Sequence, residues 1–217
     1  DSSFIVVDDW KHLHNLEERL RTHVIGQDEA VSSVVRTLRQ AHVGLRKGTK
    51  PLASFLFVGP SGVGKTKLAK SLARELYNDE KALINLNMSE FSEAHGVSKI
   101  LGSPAGYIGH KERNHFIDSL KKRPYAVVLF DEFDKAHPDV RKLLLQLLDE
   151  GTLTDSRGKK VHFRHAVIIL TSTLGSMHLT KNGLGFGSTT TKQQAKKAQH
   201  HAVIKDLKET FGVELMS

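Results

Sequence analysis

A chain of 217 residues, 39% of them hydrophobic, suffices for one domain with a substantial core. It holds no run of about 18 apolar residues, and the early run Phe4 to Val7 is too short for a secretory signal, so the chain reads as soluble and not membrane-anchored. The absence of cysteine excludes disulfides and thiolate metal sites, while a formal charge of +8 suits nucleotides, nucleic acid or acidic partners without choosing among them. Basic residues are dispersed, with Arg46, Lys47 and Lys50, then Lys121 to Arg123, Lys159 and Lys160, and Lys192 to Lys197, which reads as several solvated faces. The pairs His12 and His14, His162 and His165, and His200 and His201 lack a further ligand at a recognised spacing and read as surface histidines.

In chain order, Leu13, Leu16 and Leu20 share one helical face, and Val31, Val34, Val35 and Leu38 repeat the pattern after the break Val24 to Gln27. Two helices therefore precede the first strand, Phe55 to Val58. A helix with Leu68, Ala69, Leu72, Ala73 and Leu76 inward follows, then a strand at Leu83 to Leu86, which together read as a β-α-β unit. Val127 to Phe130 and Ala166 to Leu170 are continuous apolar runs of the kind a parallel sheet covered on both faces requires. Between them Pro138 opens a helix with Val140, Leu143, Leu144, Leu147 and Leu148 on one side. A short hairpin is expected from Thr152 to Thr154 and Val161 to Phe163. The Gly-, Ser- and Thr-rich stretch Leu174 to Lys192 reads as a mobile loop, and Gln193 to Phe211 as a last helix. The expected fold is α/β: a parallel sheet flanked by helices in three layers.

Gly59, Pro60, Ser61, Gly62, Val63, Gly64, Lys65 and Thr66 fit G-x-x-x-x-G-K-[ST] between an apolar strand and a periodic helix, the context a Walker A loop needs. The glycines let successive N–H groups and the helix N-terminus face phosphates, Lys65 neutralises β/γ oxygens, and Thr66 offers a hydroxyl to Mg2+. Val127 to Phe130 ends in Asp131 and Glu132, a Walker B pattern in which Asp131 holds Mg2+ and Glu132 is the general base that polarises the attacking water. The expected cofactors are ATP and Mg2+.

Arg21 to Gln27, Ser54 to Lys70, Met88 to Phe91, Gly102 to Gly109, Arg123 to Pro138 and Leu143 to Asp155 closely resemble the second AAA+ module of the Clp ATPases. The resemblance runs almost end to end. It implies that residues 1–217 form an AAA+ large subdomain: N-terminal helices to residue 50, a P-loop core over 51–175, and a mobile loop and terminal helix over 176–217. It further implies a homo-hexameric ring that hydrolyses ATP to thread unfolded protein substrates through a pore into a Clp peptidase. Val24 and Ile25 match adenine-pocket positions, core packing being the plainer alternative. Tyr107 and Ile108, within Gly106 to Gly109, match the first pore loop, where an aromatic grips substrate; the alternative is a glycine-rich turn with a packed tyrosine. Leu184, Gly185 and Phe186 match the tripeptide that docks Clp unfoldases onto the peptidase, against the alternative that Phe186 folds back onto its own core.

Three departures stand out. Where the family usually has its sensor asparagine this chain has Thr173, a shorter group able to reach water or γ-phosphate, and Arg113 and Asn114 replace two glycines after the pore loop. The tail Phe211 to Ser217 resembles the segment leading into the arginine finger and stops short of it, and the small helical subdomain is missing. The chain by itself is therefore expected to be a weak ATPase. Two further alternatives are a disaggregase without a peptidase and a P-loop ATPase acting on nucleic acid, the latter without a helix-turn-helix or stacking platform to support it. A third is an assembly module that binds ATP without turnover, motivated by Thr173 and opposed by Glu132. Neither a membrane nor nucleic acid is an expected partner.

Overall fold

Two strands with every residue apolar up to their polar ends set the centre of the molecule: β3, Val127–Asp131, and β6, Val167–Ser172. The structure, a computed structural model, describes residues 15–42, 48–102, 115–175 and 201–207. In the four-stranded sheet β3 and β6 pair with each other, while β1, Ala53–Val58, flanks β6 and β2, Leu83–Asn87, flanks β3, giving the order β1-β6-β3-β2. All three pairings are parallel, so the carboxyl ends of the strands form one edge. The expected β-α-β unit is present, β1 and β2 running parallel and joined through the helix Lys65–Tyr77, but the two strands are not neighbours, since β6 and β3 lie between them. The reason is burial. Only β3 and β6 can be covered on both faces throughout, whereas β1 and β2 carry partly exposed positions and so take the flanks.

Alternate strand residues point to opposite faces. Val128, Phe130, Ile168 and Leu170 enter a core with helices α4 (Gly96–Leu101), α5 (His115–Lys122) and α6 (Pro138–Glu150). Val127, Leu129, Val167 and Ile169 enter a second core with α1 (Leu16–His23), α2 (Asp28–His42) and α3 (Lys65–Tyr77). The protein is thus a three-layer α/β/α fold, as expected. Leu16 and Leu20 on α1, and Val31, Val34, Val35 and Leu38 on α2, are buried as their spacing predicts. Glu75 on α3 pairs with both Arg19 and His23, which fastens α1 across α3.

Helix α6 begins with Pro138 in its first turn and ends at Gly151, whose φ of 69° is the left-handed conformation that glycine adopts freely. The chain just before β1 closes over this end: Thr49 Oγ1 donates to Glu150 O at 2.7 Å, and Lys50 bonds Asp149. A Cβ added at Gly151 would lie 1.9 Å from Thr49 O. After Gly151 comes the expected hairpin, β4 (Thr152–Thr154) with β5 (Lys160–His162), antiparallel. Its turn is organised by the buried Asp155, which accepts from the amides of Arg157 and Lys159 and from Lys121 Nζ on α5, while Ser156 N donates to Leu101 O at the end of α4. Residues 201–207 are helical, with Val203 and Leu207 buried, and Val203 lies against Gly175.

Two consequences are measurable by denaturant unfolding. Gly151→Ala should cost about 2 kcal/mol or more, since left-handed strain adds to a backbone collision, whereas Gly158→Ala, also at positive φ but facing open space, should cost only about 1 kcal/mol. Burial raises the Asp155 pKa, but the hydrogen bond from Lys121 and the two amides outweigh it and hold the carboxyl below its ordinary value. The depressed value belongs to the folded state, so this stabilisation is present above the unfolded pKa and fades as pH falls through the folded one. Asp155→Asn should therefore be less stable than wild type at pH 7, with the gap closing below about pH 4.

Candidate nucleotide site

The loop Gly59 to Gly64 leaves β1 and enters α3 at the carboxyl edge of the sheet. Gly62 and Gly64 have φ of 83° and 101°, so the loop turns through conformations that L side chains rarely adopt and delivers the first turn of α3 with its amides free of a side-chain cap. Gly59 N donates to Ser172 O, anchoring the loop to β6. Lys65 Nζ reaches back to donate to Gly59 O at 2.7 Å and Pro60 O at 2.8 Å. Burial pushes the Lys65 ammonium below the ordinary lysine value, opposed by the charges of Asp131, Asp134 and Glu132. Ser61, Gly62 and Val63 are exposed on the outer side of the loop.

Register brings the acids to this loop. Asn87 on β2 stands opposite Asp131 on β3, and Phe130 opposite Leu170 on β6, so Asp131 emerges from the middle of the sheet beside Thr171. Thr66 Oγ1 donates to Asp131 Oδ2 at 3.0 Å, joining the two motifs that lie 65 residues apart. Glu132 has φ 57° and ψ 48°, a left-handed conformation rare for a residue with a side chain. Its carboxylate is paired with Lys135 at 3.2 Å. Thr173 sits half-buried after β6 and donates its backbone N–H to Asp134 Oδ1 at 3.3 Å.

Val24 and Ile25 separate in fate. Val24 is 4% exposed, with its Cγ1 3.7 Å from where a Cβ on Gly64 would stand, which agrees with core packing beneath the loop. Ile25 is 87% exposed, so core packing does not account for it, and Gln27 Nε2 donates to Val63 O close by. Tyr107, Ile108, Leu184, Gly185 and Phe186 lie outside the described residues.

Two residues of the site escaped the reading of the sequence. Thr171 donates its hydroxyl hydrogen to Asp131 Oδ1 and accepts the amide of Glu132, while Asp134 takes the Thr173 amide. The signal for Thr171 was a polar residue continuing an apolar strand, one step from the segment already singled out; for Asp134 it was a third acid in Asp131 to Asp134.

The arrangement is that of a P-loop nucleotide site, and comparison with known sequences agrees. A family model described as the AAA domain (Cdc48 subfamily) matches residues 50–217. The chain belongs to this AAA family. It is 44% identical over 216 residues to the ATP-dependent Clp protease ATP-binding subunit ClpA homolog CD4B, chloroplastic, of Solanum lycopersicum, covering 98% of this chain and 23% of that protein. It is also 44% identical over 206 residues to the ATP-dependent Clp protease ATP-binding subunit ClpC of Staphylococcus saprophyticus, covering 94% and 25%. Identity reaches 49% over 180 residues with chaperone protein ClpC1, chloroplastic, of Oryza sativa, covering 83% and 20%. The chain thus spans between 20% and 25% of the length of these relatives. The AAA family is one of nucleotide-binding ATPase domains, and the relatives to which this chain is similar are named as Clp ATP-binding subunits and a Clp chaperone. No described helix is long and apolar enough to cross a membrane.

Glycine in place of a residue with a side chain usually destabilises by about 1 kcal/mol, but at Glu132 it removes left-handed strain of similar size. Glu132→Gly should therefore leave the unfolding free energy within about 1 kcal/mol of wild type; a larger loss would show that the strain is not there.

Proposed function

We propose that this domain binds and hydrolyses ATP with Mg2+, and that the longer protein it matches uses the energy to thread unfolded polypeptide through a homo-hexameric ring into a Clp peptidase. The observation that carries the reading is the Thr66 to Asp131 contact at the mouth of the P-loop, with Glu132 next in the chain. A hydroxyl and a carboxylate oxygen are the hard donors Mg2+ takes when phosphate oxygens and water complete its shell, so the residues present fit the ion. Thr66 and Asp131 would hold it, and it would supply neutralisation of charge on the β/γ oxygens. Lys65 exchanges the Gly59 and Pro60 carbonyls for phosphate oxygens, and the amides of Gly59 to Thr66 cradle the phosphates. Ile25 covers one side of the adenine, with Val24 behind it. Glu132 orients the water, restrained by Lys135, and Thr173 reaches toward γ-phosphate.

The names printed for the relatives, Clp protease ATP-binding subunits and a ClpC chaperone, support the wider part of the reading. Residues 1–217 act as an AAA+ large subdomain, with Tyr107 and Ile108 gripping substrate in the pore and Leu184, Gly185 and Phe186 seating on the peptidase. The isolated chain turns over ATP weakly for want of a neighbour's arginine finger, and the protein works in the cytoplasm or an organelle matrix or stroma.

The test is ATP turnover and degradation of an unfolded protein by the full-length assembly with Clp peptidase, comparing wild type, Lys65→Ala and Tyr107→Ala. Lys65→Ala should lower ATP turnover by at least about a hundredfold, whereas Tyr107→Ala should keep turnover within about threefold and lose degradation. Undiminished turnover in Lys65→Ala sinks the nucleotide assignment; undiminished degradation in Tyr107→Ala sinks the pore mechanism.

A further inference from the structure

Thr171 lies on the central strand β6 and is 1% exposed, too deep to meet a nucleotide directly. A threonine hydroxyl has one hydrogen to give and lone pairs to receive. Here the hydrogen goes to Asp131 Oδ1, and a lone pair takes the amide of Glu132 at 3.0 Å. Asp131 is thereby held by two hydroxyls, Thr171 on Oδ1 and Thr66 on Oδ2. The carboxylate has only one soft torsion toward its ring of neighbours, so occupying Oδ1 from the strand behind it leaves Oδ2 turned to the P-loop. The second bond acts on the backbone. Glu132 stands in a left-handed conformation that costs an L residue about 1–2 kcal/mol, and such strain persists only where surrounding bonds hold it. Its amide, accepted by Thr171, is one of those bonds, and the other end of the residue is tethered by Lys135.

We infer that Thr171 is a positioning residue for the hydrolytic site: one buried hydroxyl sets the rotamer of Asp131 and fixes the backbone from which Glu132 projects. Its requirement is chemical, not steric. Valine fills the same volume but neither donates nor accepts, so it frees Asp131 Oδ1 and strands the Glu132 amide without a partner. Serine keeps both bonds and removes only a methyl group.

This rests on the ATP reading above, and equilibrium binding separates the two. A fluorescent ATP analogue is titrated into the 217-residue chain, as wild type, Thr171→Val and Thr171→Ser, once with Mg2+ and once with EDTA, alongside thermal melting of each. The phosphate cradle and Lys65 do not involve Thr171, so affinity in EDTA should stay within about twofold for all three. The gain in affinity on adding Mg2+ should fall about tenfold in Thr171→Val, the size expected for losing a hydrogen bond to a charged group, and be restored in Thr171→Ser whatever the melting temperatures do. Equal losses with and without Mg2+ would mean that the hydroxyl only holds the fold, and an unchanged Mg2+ gain, or a serine variant as defective as valine, would also overturn the positioning role. Failure of wild type to bind the analogue under either condition overturns the ATP reading, and this inference with it.

Discussion

The hydrogen bond between Thr66 and Asp131 unites what the chain keeps apart, and the site depends on it because each partner belongs to a different rigid element. Thr66 is in the first turn of α3, whose position is set by Leu68, Ala69, Leu72 and Ala73 packed on one face of the sheet. Asp131 is the last residue of β3, a strand whose other residues are fully buried. Neither side chain can drift without moving a helix or a central strand, and this is how a polar site at the sheet edge inherits the precision of an apolar core.

The same economy recurs behind the site. β6 contributes Ser172 O to the P-loop amide of Gly59 and Thr171 to Asp131 and to the amide of Glu132, and the Thr173 amide just after the strand donates to Asp134. Three consecutive residues, the last two of β6 and the one after it, thus touch the phosphate loop and the acidic segment. From there the chain runs through Gly175, against which Val203 packs, so the helical residues 201–207 rest close to the end of this strand. In the same core as Val203 and Leu207, α6 leads from the acidic segment to Gly151 and the hairpin, whose turn is bound to α4 through Leu101 O and to α5 through Lys121.

Charge at the site is arranged to tolerate a polyanion. Asp131, Glu132 and Asp134 cluster near the Lys65 ammonium, which is partly desolvated and borrows two carbonyls of its own loop as partners, while Lys135 pairs with Glu132. Carbonyls are weaker partners for an ammonium than phosphate oxygens, so the loop is preformed yet holds its lysine with bonds that an anion can replace.

Local signals carried much of this. Continuous apolar runs announced β3 and β6, 3.6-residue periodicity announced α1, α2, α3 and α6, and the glycine spacing of residues 59 to 66 announced a phosphate loop, because each depends only on near neighbours in the chain. Strand order was not legible: chain order does not say that β6 and β3 stand between β1 and β2, and only competition for the doubly covered centre puts them there. Thr171 and Asp134 were also out of reach, since a hydroxyl 40 residues from its carboxylate has no local pattern to betray it. Ile25 shows the converse, an apolar residue that composition would bury and the fold leaves in the open beside the P-loop. The sequence by itself determined the strands, the phosphate loop and helices α1, α2, α3 and α6, and the family they resemble, while α4 and α5 carried no pattern that was read. Tertiary structure alone decided which side chains meet, because parallel register and two-sided burial are properties of the assembled sheet and of no single segment.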